Sequence, residues 1–208
     1  MAITRIILVR HGETEWNRVE RYRGRADVPL DEAGLAQAEA TGRRIAAEWQ
    51  PAAVYSSPLS RAVKTAEVIA GHFGLPVQVH PSLTDIDYGE WQGLTPDEAR
   101  ERWPRVTAAW LNAPQVAHIP GGETLDDVRD RAMEAVRALA ARHAGLTIVL
   151  VGHTVVNRVI LLAVLGLGNG RFWRLRQDTC AINVLEAEGD VFILALLNDT
   201  CHLRVLSW

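Results

Sequence analysis

RIILVRHGETEWN, residues 5–17, decides the fold class of this chain. Arg5–Val9 hold a run of Ile, Leu and Val as long as a strand buried on both faces of a parallel sheet. The run stops at Arg10-His11-Gly12, and Thr14 is placed to cap a following helix. A guanidinium and an imidazole therefore stand where a strand gives way to a helix. In open α/β sheets that edge receives ligands, and the free N–H groups of a helix start favour anions. On this stretch alone, His11 is equally readable as an ordinary loop histidine.

The flanking sequence supplies the rest of the sheet. Arg21–Asp27 reads as a polar loop, and Asp31 caps a helix kept in period by Leu35, Ala38, Gly42, Ile45, Ala46 and Trp49. Ala52–Tyr55 is a short strand. Ser57 then suits an N-cap and Pro58 the first position of a helix that buries Val63, Ala66, Ile69, Ala70 and Phe73. Pro76–Val79 is a third strand, and this alternation implies a mainly parallel sheet covered on both faces. Further on, Thr124 caps a helix striped by Leu125, Val128, Ala132, Ala135, Val136 and Leu139. Thr147–Val151 is a wholly apolar strand, and Gly152-His153-Thr154 opens an apolar helix, Val155–Leu165. Ala181–Ala187 and Val191–Leu197 flank Glu188-Gly189-Asp190 as a β-hairpin. The expected fold is a three-layer α/β/α sandwich with a mostly parallel central sheet and a C-terminal antiparallel hairpin. The hairpin's outer strand is open to pairing with a second subunit, so a homodimer is one expectation.

Residues 81–122 break the rhythm with two short helical patterns and a Pro/Gly-rich exit. The expected organisation is a single domain over residues 1–208, with this insertion capping the substrate pocket at the sheet edge. Trp91, Trp103 and Trp110 read first as the insertion's own small core. The other reading is an apolar roof over the pocket, shared with His118.

Composition excludes several function classes. A net charge of −3 leaves no electrostatic footprint for nucleic acid or an anionic membrane. Val159–Leu165 is the longest apolar run and is far too short to span a bilayer. Two cysteines, Cys180 and Cys201, without CxxC spacing suit a reducing compartment. With no apolar leader, the expectation is a cytoplasmic protein. Of the 22 basic residues all but Lys64 are Arg, so a clustered Arg carries less weight here than usual.

Two strand ends share one design. Residues 6–9 run into Arg10-His11-Gly12, and residues 147–151 run into Gly152-His153-Thr154. If these strands are neighbours, both imidazoles enter one crevice, joined by Arg61 from the first turn of the helix after Ser57. Two arginines, two histidines and helix N-termini make a site for a dianion, most naturally a phosphoryl group. The histidines show no HxxxH or HExxH spacing and no carboxylate run resembles a magnesium site, so no metal or other cofactor is expected. Covalent transfer through histidine follows, with His11 attacking as neutral imidazole while Arg10, Arg61 and His153 neutralise the phosphoryl oxygens. The leaving alkoxide then needs a carboxylic acid nearby.

These motifs resemble the histidine phosphatase superfamily, in its phosphoglycerate-mutase-like branch. LVRHGETEWN resembles the signature around the family's nucleophilic histidine. SSPLSRAVKTAE (residues 56–67) is similar to its second-arginine segment, and LTDIDYGEWQGLT (residues 83–95) to its proton-donor segment. PGGET (residues 120–124) and VGHT (residues 151–154) resemble the pre-helix loop and the second histidine. The resemblance implies that His11 is the phosphohistidine nucleophile, that His153 is the second pocket histidine, and that Arg10, Arg61, Asn17 and Thr154 bind phosphate. It implies a proton donor at Asp85, where the family commonly has Glu, with Asp87 as the alternative. Gly24 and Arg23 fall in the pocket loop. Arg23 departs from the family's Gln, Ser or Thr, and either holds a second anionic group or faces solvent.

The implied function is a phosphatase acting on small-molecule phosphomonoesters. The family's mutases carry Arg directly after the donor carboxylate, whereas this chain has Ile86 and lacks the longer basic insertion. A cofactor-dependent phosphoglycerate mutase and a catalytically silent phospho-ligand binder are the alternatives. A dinucleotide oxidoreductase is rejected, because Gly166, Gly168 and Gly170 follow a helix and lack G-x-G-x-x-G spacing.

Overall fold

The computed structural model describes residues 2–205. The opening apolar run forms β1 (Thr4–Arg10), in which Ile6, Ile7, Leu8 and Val9 are sealed from solvent. Side chains alternate across a strand, so Ile6 and Leu8 enter the core on one face and Ile7 and Val9 the core on the other. Burying one such side chain is worth about 1.5–3 kcal/mol, which favours a central place for β1. β2 (Ala53–Ser56), β3 (Val77–Val79), β4 (Thr147–Gly152), β5 (Ile182–Glu188) and β6 (Val191–Asp199) complete the sheet, in the order β3-β2-β4-β1-β5-β6. The first four strands are parallel, while β5 and β6 form the antiparallel hairpin.

The helices are α1 (Glu15–Arg18), α2 (Glu32–Glu48), α3 (Ser60–Gly71), α4 (Pro96–Arg102), α5 (Pro104–Asn112), α6 (Leu125–Arg142) and α7 (Thr154–Val164). Ile45 of α2 and Ala62, Ala66 and Ile69 of α3 cover the Ile7/Val9 face. Val128 and Val136 of α6 and Val156 and Ile160 of α7 cover the Ile6/Leu8 face. The α/β/α sandwich expected from the periodicity is the observed fold.

The start of α3 differs from expectation. The N-cap is Leu59, not Ser57. The Ser57 N–H donates to Val151 O at 3.0 Å, so the chain remains extended there, and its hydroxyl accepts from Leu59 N at 3.3 Å and also meets a side chain from the end of β4.

Residues 81–122 fold into α4, α5 and short 3₁₀ turns. Trp91 and Trp110 are buried, edge to face at 6.3 Å, and merge with the α6/α7-side core. Trp103 packs at its margin, and His118 is exposed. The tryptophans are therefore core, and the roof built from them and His118 does not form. At the opposite sheet edge, β6 leaves Val191, Ile193 and Leu197 exposed. No helix among the described residues is long and apolar enough to cross a membrane.

Candidate active site

The register of β1 against β4 places Arg10 opposite Gly152. His11 and His153 therefore leave the sheet side by side, and their ring centroids lie 5.1 Å apart. His11 Nδ1 lies 2.6 Å from Gly12 O. A carbonyl only accepts, so Nδ1 carries the proton and Nε2 keeps its lone pair. Burial, and next the Arg61 charge, hold His11 well below the usual histidine range, which leaves it neutral at pH 7. His153 is depressed by the same two causes. Its Nε2 meets Ser57 Oγ at 2.7 Å, while its buried Nδ1 has no hydrogen-bond partner and lies 3.7 Å from Asp85 Oδ2.

The His11 loop is fixed by a close crossing of two backbones. A Cβ on Gly12 would come within 2.5 Å of Gly34 O, and one on Gly34 would collide with the Glu13 carbonyl. Only glycines allow the start of α2 to lie against this loop, where Gln37 Oε1 also accepts from Glu13 N at 3.0 Å.

Three arginines surround the imidazoles. Arg61 is fully buried and donates to Ala26 O at 2.7 Å and Gly24 O at 2.8 Å, with Nη2 3.5 Å from Asp85 Oδ2. Arg10 donates to Gln177 O at 2.7 Å, and Arg23 to Trp16 O at 3.0 Å. The Nε of each is buried without an acceptor. Burial, and next the Arg23 charge, pull Arg10 down to about 9, which still leaves it a cation at pH 7. Asp85 is the carboxylate set among them. Burial raises its pKa against the opposing pull of Arg61 and Arg23. Three guanidiniums against one carboxyl group leave an enclosed positive excess that suits a dianion. Asp87 is placed differently, accepting from Gly89 N at 2.8 Å and pairing with Arg25 at 3.2 Å, so it serves the loop.

A cavity of about 340 Å³ opens here, within the size range of small-molecule sites. Arg10, Asn17, Arg23, Asp85 and Thr154 contribute to its wall. Asn17 Oδ1 accepts from Thr14 N at 3.0 Å and Thr14 Oγ1 at 2.8 Å, which leaves its NH₂ for a ligand. Gly24, at φ +50°, acts through its carbonyl on Arg61. Tyr22, Tyr88, Phe172, Trp173 and Arg158 supply further aromatic and cationic wall beside Arg21. None of these five residues is a site residue in the sequence reading, and Ser57 figures there only as an N-cap. Arg158 carried a usable signal as the single charged residue in the apolar helix TVVNRVILLAV. Among the described residues no three His, Cys, Asp or Glu side chains group as metal ligands.

The chain as a whole is similar to known proteins. The chain is 35% identical to "Phosphoserine phosphatase 1" of Hydrogenobacter thermophilus, covering 97% of this chain and 95% of that protein. It is also 35% identical to "Metal-independent phosphoserine phosphatase" of Arabidopsis thaliana, covering 99% of this chain and 86% of that protein. Among solved structures, YhfR of Bacillus stearothermophilus superposes with a TM-score of 0.91 at 34% identity, covering 96% of this chain and 99% of that one. Residues 6–200, which include both imidazoles, match the model of a single family. The chain belongs to the histidine phosphatase superfamily, branch 1.

Proposed function

We propose that this protein hydrolyses small phosphomonoesters through a phosphohistidine on His11, with Asp85 as proton donor. The observation that carries this reading is the pair of neutral imidazoles beneath three arginines, with one buried carboxyl group 3.7 Å from His153. Arg10, Arg61, Arg23, His153, Thr154 and the Asn17 NH₂ hold the phosphoryl oxygens. His11 Nε2 attacks phosphorus in line, the ester P–O bond breaks, and protonated Asp85 gives its proton to the leaving alkoxide. The Asp85 carboxylate next takes a proton from water as that water attacks phosphorus. The N–P bond breaks, and inorganic phosphate departs.

Hydrolysis is preferred to mutase chemistry because the residue after Asp85 is Ile86, wholly buried, with no charge to offer a phosphoglycerate. A silent binder is disfavoured because the nucleophile, acid and phosphate clamps are all present. The names of the two relatives make phosphoserine the first substrate to assay. The decisive experiment measures phosphate release from phosphoserine together with mass-spectrometric detection of phosphate on His11 during turnover. His11→Ala is the control. Phosphate release without any phosphorylated His11 would exclude the covalent route.

Three coarser features belong to the same reading. The chain acts as one unit, with residues 81–122 supplying Asp85, Tyr88 and Pro96 to the pocket wall. The open β6 edge with its exposed Val191 and Ile193 supports a homodimer, which light scattering would detect. The free cysteines Cys180 and Cys201 support a cytoplasmic location, to be checked by fractionation.

A further inference from the structure

Ser57 meets the one nitrogen of His153 that does not face Asp85. It directly follows β2, and its N–H carries the sheet on to Val151 O at 3.0 Å. That extension holds its hydroxyl against the neighbouring strand end, where Oγ lies 2.7 Å from His153 Nε2. Both side chains are sealed from solvent, so each polar hydrogen has to find its acceptor within the protein. Ser57 Oγ accepts from Leu59 N at 3.3 Å, a bond that engages a lone pair and leaves the hydroxyl proton to be placed. Among the described residues, His153 Nε2 is the acceptor that this proton meets.

The two ways of sharing the contact differ in their consequences. If Nε2–H donated to Ser57 Oγ, the buried hydroxyl proton would have no acceptor, an uncompensated desolvation cost. Nδ1 would then turn a bare lone pair toward Asp85 and the phosphoryl oxygens. If Ser57 donates to Nε2, each of these groups is placed. The ring proton sits on Nδ1, which is buried, has no hydrogen-bond partner and lies 3.7 Å from Asp85 Oδ2 in the pocket wall. A ring protonated on both nitrogens is disfavoured by burial and by the charges of Arg61, Arg23 and Arg10.

We infer that Ser57 is a positioning residue that fixes His153 as the Nδ1–H tautomer, making it a neutral hydrogen-bond donor to a phosphoryl oxygen. The identity of that oxygen rests on the phosphatase reading. The two imidazoles then share a tautomer but face opposite ways. His11 gives its proton to Gly12 O and turns a lone pair toward phosphorus. His153 gives its lone pair to Ser57 and turns a proton toward the phosphoryl group. Neutrality matters at this spot. A further full positive charge beside Asp85 would draw off its proton before the leaving group needs it. An N–H dipole stabilises the oxygens and leaves the acid protonated.

The test reads the tautomer directly. Long-range ¹H–¹⁵N spectra of histidine-labelled protein, with and without inorganic phosphate, should show His153 protonated on Nδ1 and bare on Nε2. The signal is assigned by its loss in His153→Asn. Ser57→Ala should move the ring proton to Nε2 or leave a mixture of tautomers. In the same variant kcat for phosphoserine should fall at least about tenfold, with KM changed less than about threefold, as expected where a transition-state donor is weakened. Ser57→Thr, which keeps the hydroxyl, should restore the tautomer and part of the rate. A wild-type ring protonated on Nε2 would overturn the inference. So would an unchanged tautomer in Ser57→Ala, whatever its rate, or a changed tautomer with kcat intact. If wild-type protein releases phosphate from no ester, the phosphatase reading fails by itself, and the spectra of wild type and Ser57→Ala still decide what Ser57 does to His153.

Discussion

The Nδ1 of His153 lies 3.7 Å from Oδ2 of Asp85, and both side chains are buried. Burial raises the pKa of the acid and lowers that of the imidazole, so each is shifted toward its neutral form. Asp85 can then give a proton in the first chemical step only while it remains protonated. For an alkyl ester such as phosphoserine, kcat/KM should fall as pH rises through the elevated Asp85 pKa. For p-nitrophenyl phosphate, whose leaving group needs no proton, that limb should be weaker. Asp85→Asn should cost about 10²–10⁴-fold in kcat on phosphoserine and much less on the activated ester. Equal losses on both substrates would remove Asp85 from the role of acid.

Arg131 lies on α6, outside the pocket wall, yet it holds the segment that delivers Asp85. It donates to Ser82 O and Thr84 O, each at 2.7 Å, to Asp85 O at 3.3 Å, and to Glu123 at 2.9 Å. Arg131→Met takes the donor from the three carbonyls, while Glu123 keeps Asp87 N and Arg25. It should cost about 2–3 kcal/mol of stability and lower kcat roughly tenfold by loosening the placement of the acid. A positioning role also predicts that the alkaline limb of the pH profile moves and that Arg131→Lys recovers part of the rate. A stability loss with kcat and pH profile unchanged would make Arg131 purely structural.

The sequence revealed what is periodic or terminal in the fold. The sealed Ile6–Val9 run and the apolar Thr147–Val151 run each had to be central strands. The parallel pairing of those strands brings His11 and His153 together. What stayed hidden depends on contacts between distant segments. Ser57 reads as a helix cap because Pro58 follows it, but its N–H extends the sheet to Val151 and its hydroxyl turns to His153. Trp91 and Trp110 read first as core and are core, but the pocket's rings, Tyr22, Tyr88, Phe172 and Trp173, gave no such sign. No spacing rule links residues 22 and 172. Arg158 was visible as an anomaly, an isolated cation in an apolar helix, although its stacking on Phe172 was not.

Gly34 offers a test of the backbone crossing that fixes the His11 loop. A methyl group there would collide with the Glu13 carbonyl and nitrogen, and backbone cannot yield as a flexible side chain can. Gly34→Ala should destabilise the protein by about 1–3 kcal/mol and lower kcat by displacing the loop after His11. Urea unfolding together with turnover of p-nitrophenyl phosphate measures both. Unchanged stability would mean that α2 can shift away from the loop at no cost. Substitution at Gly71, where a Cβ would meet nothing within 4 Å, serves as the control.

The buried imidazoles also couple stability to pH. In the folded protein His11 and His153 sit well below the ordinary histidine range, through burial first and the Arg61 charge second. In the unfolded chain they take up protons near pH 6.5. Their contribution to stability is therefore complete above about pH 6.5 and is lost as pH falls toward their folded values, by up to about 1.4 kcal/mol per pH unit for each histidine. Asp85 works in the opposite direction. Its raised folded pKa lowers stability above that value and relieves it below, but in a window that opens near the carboxylate range. Between pH 7 and pH 5 the histidines should dominate, so urea unfolding should give a smaller free energy at pH 5. The double variant His11→Asn, His153→Asn should have a distinctly shallower pH slope even if its stability at pH 7 is lower. An unchanged slope in that variant would show that other groups set the acid sensitivity.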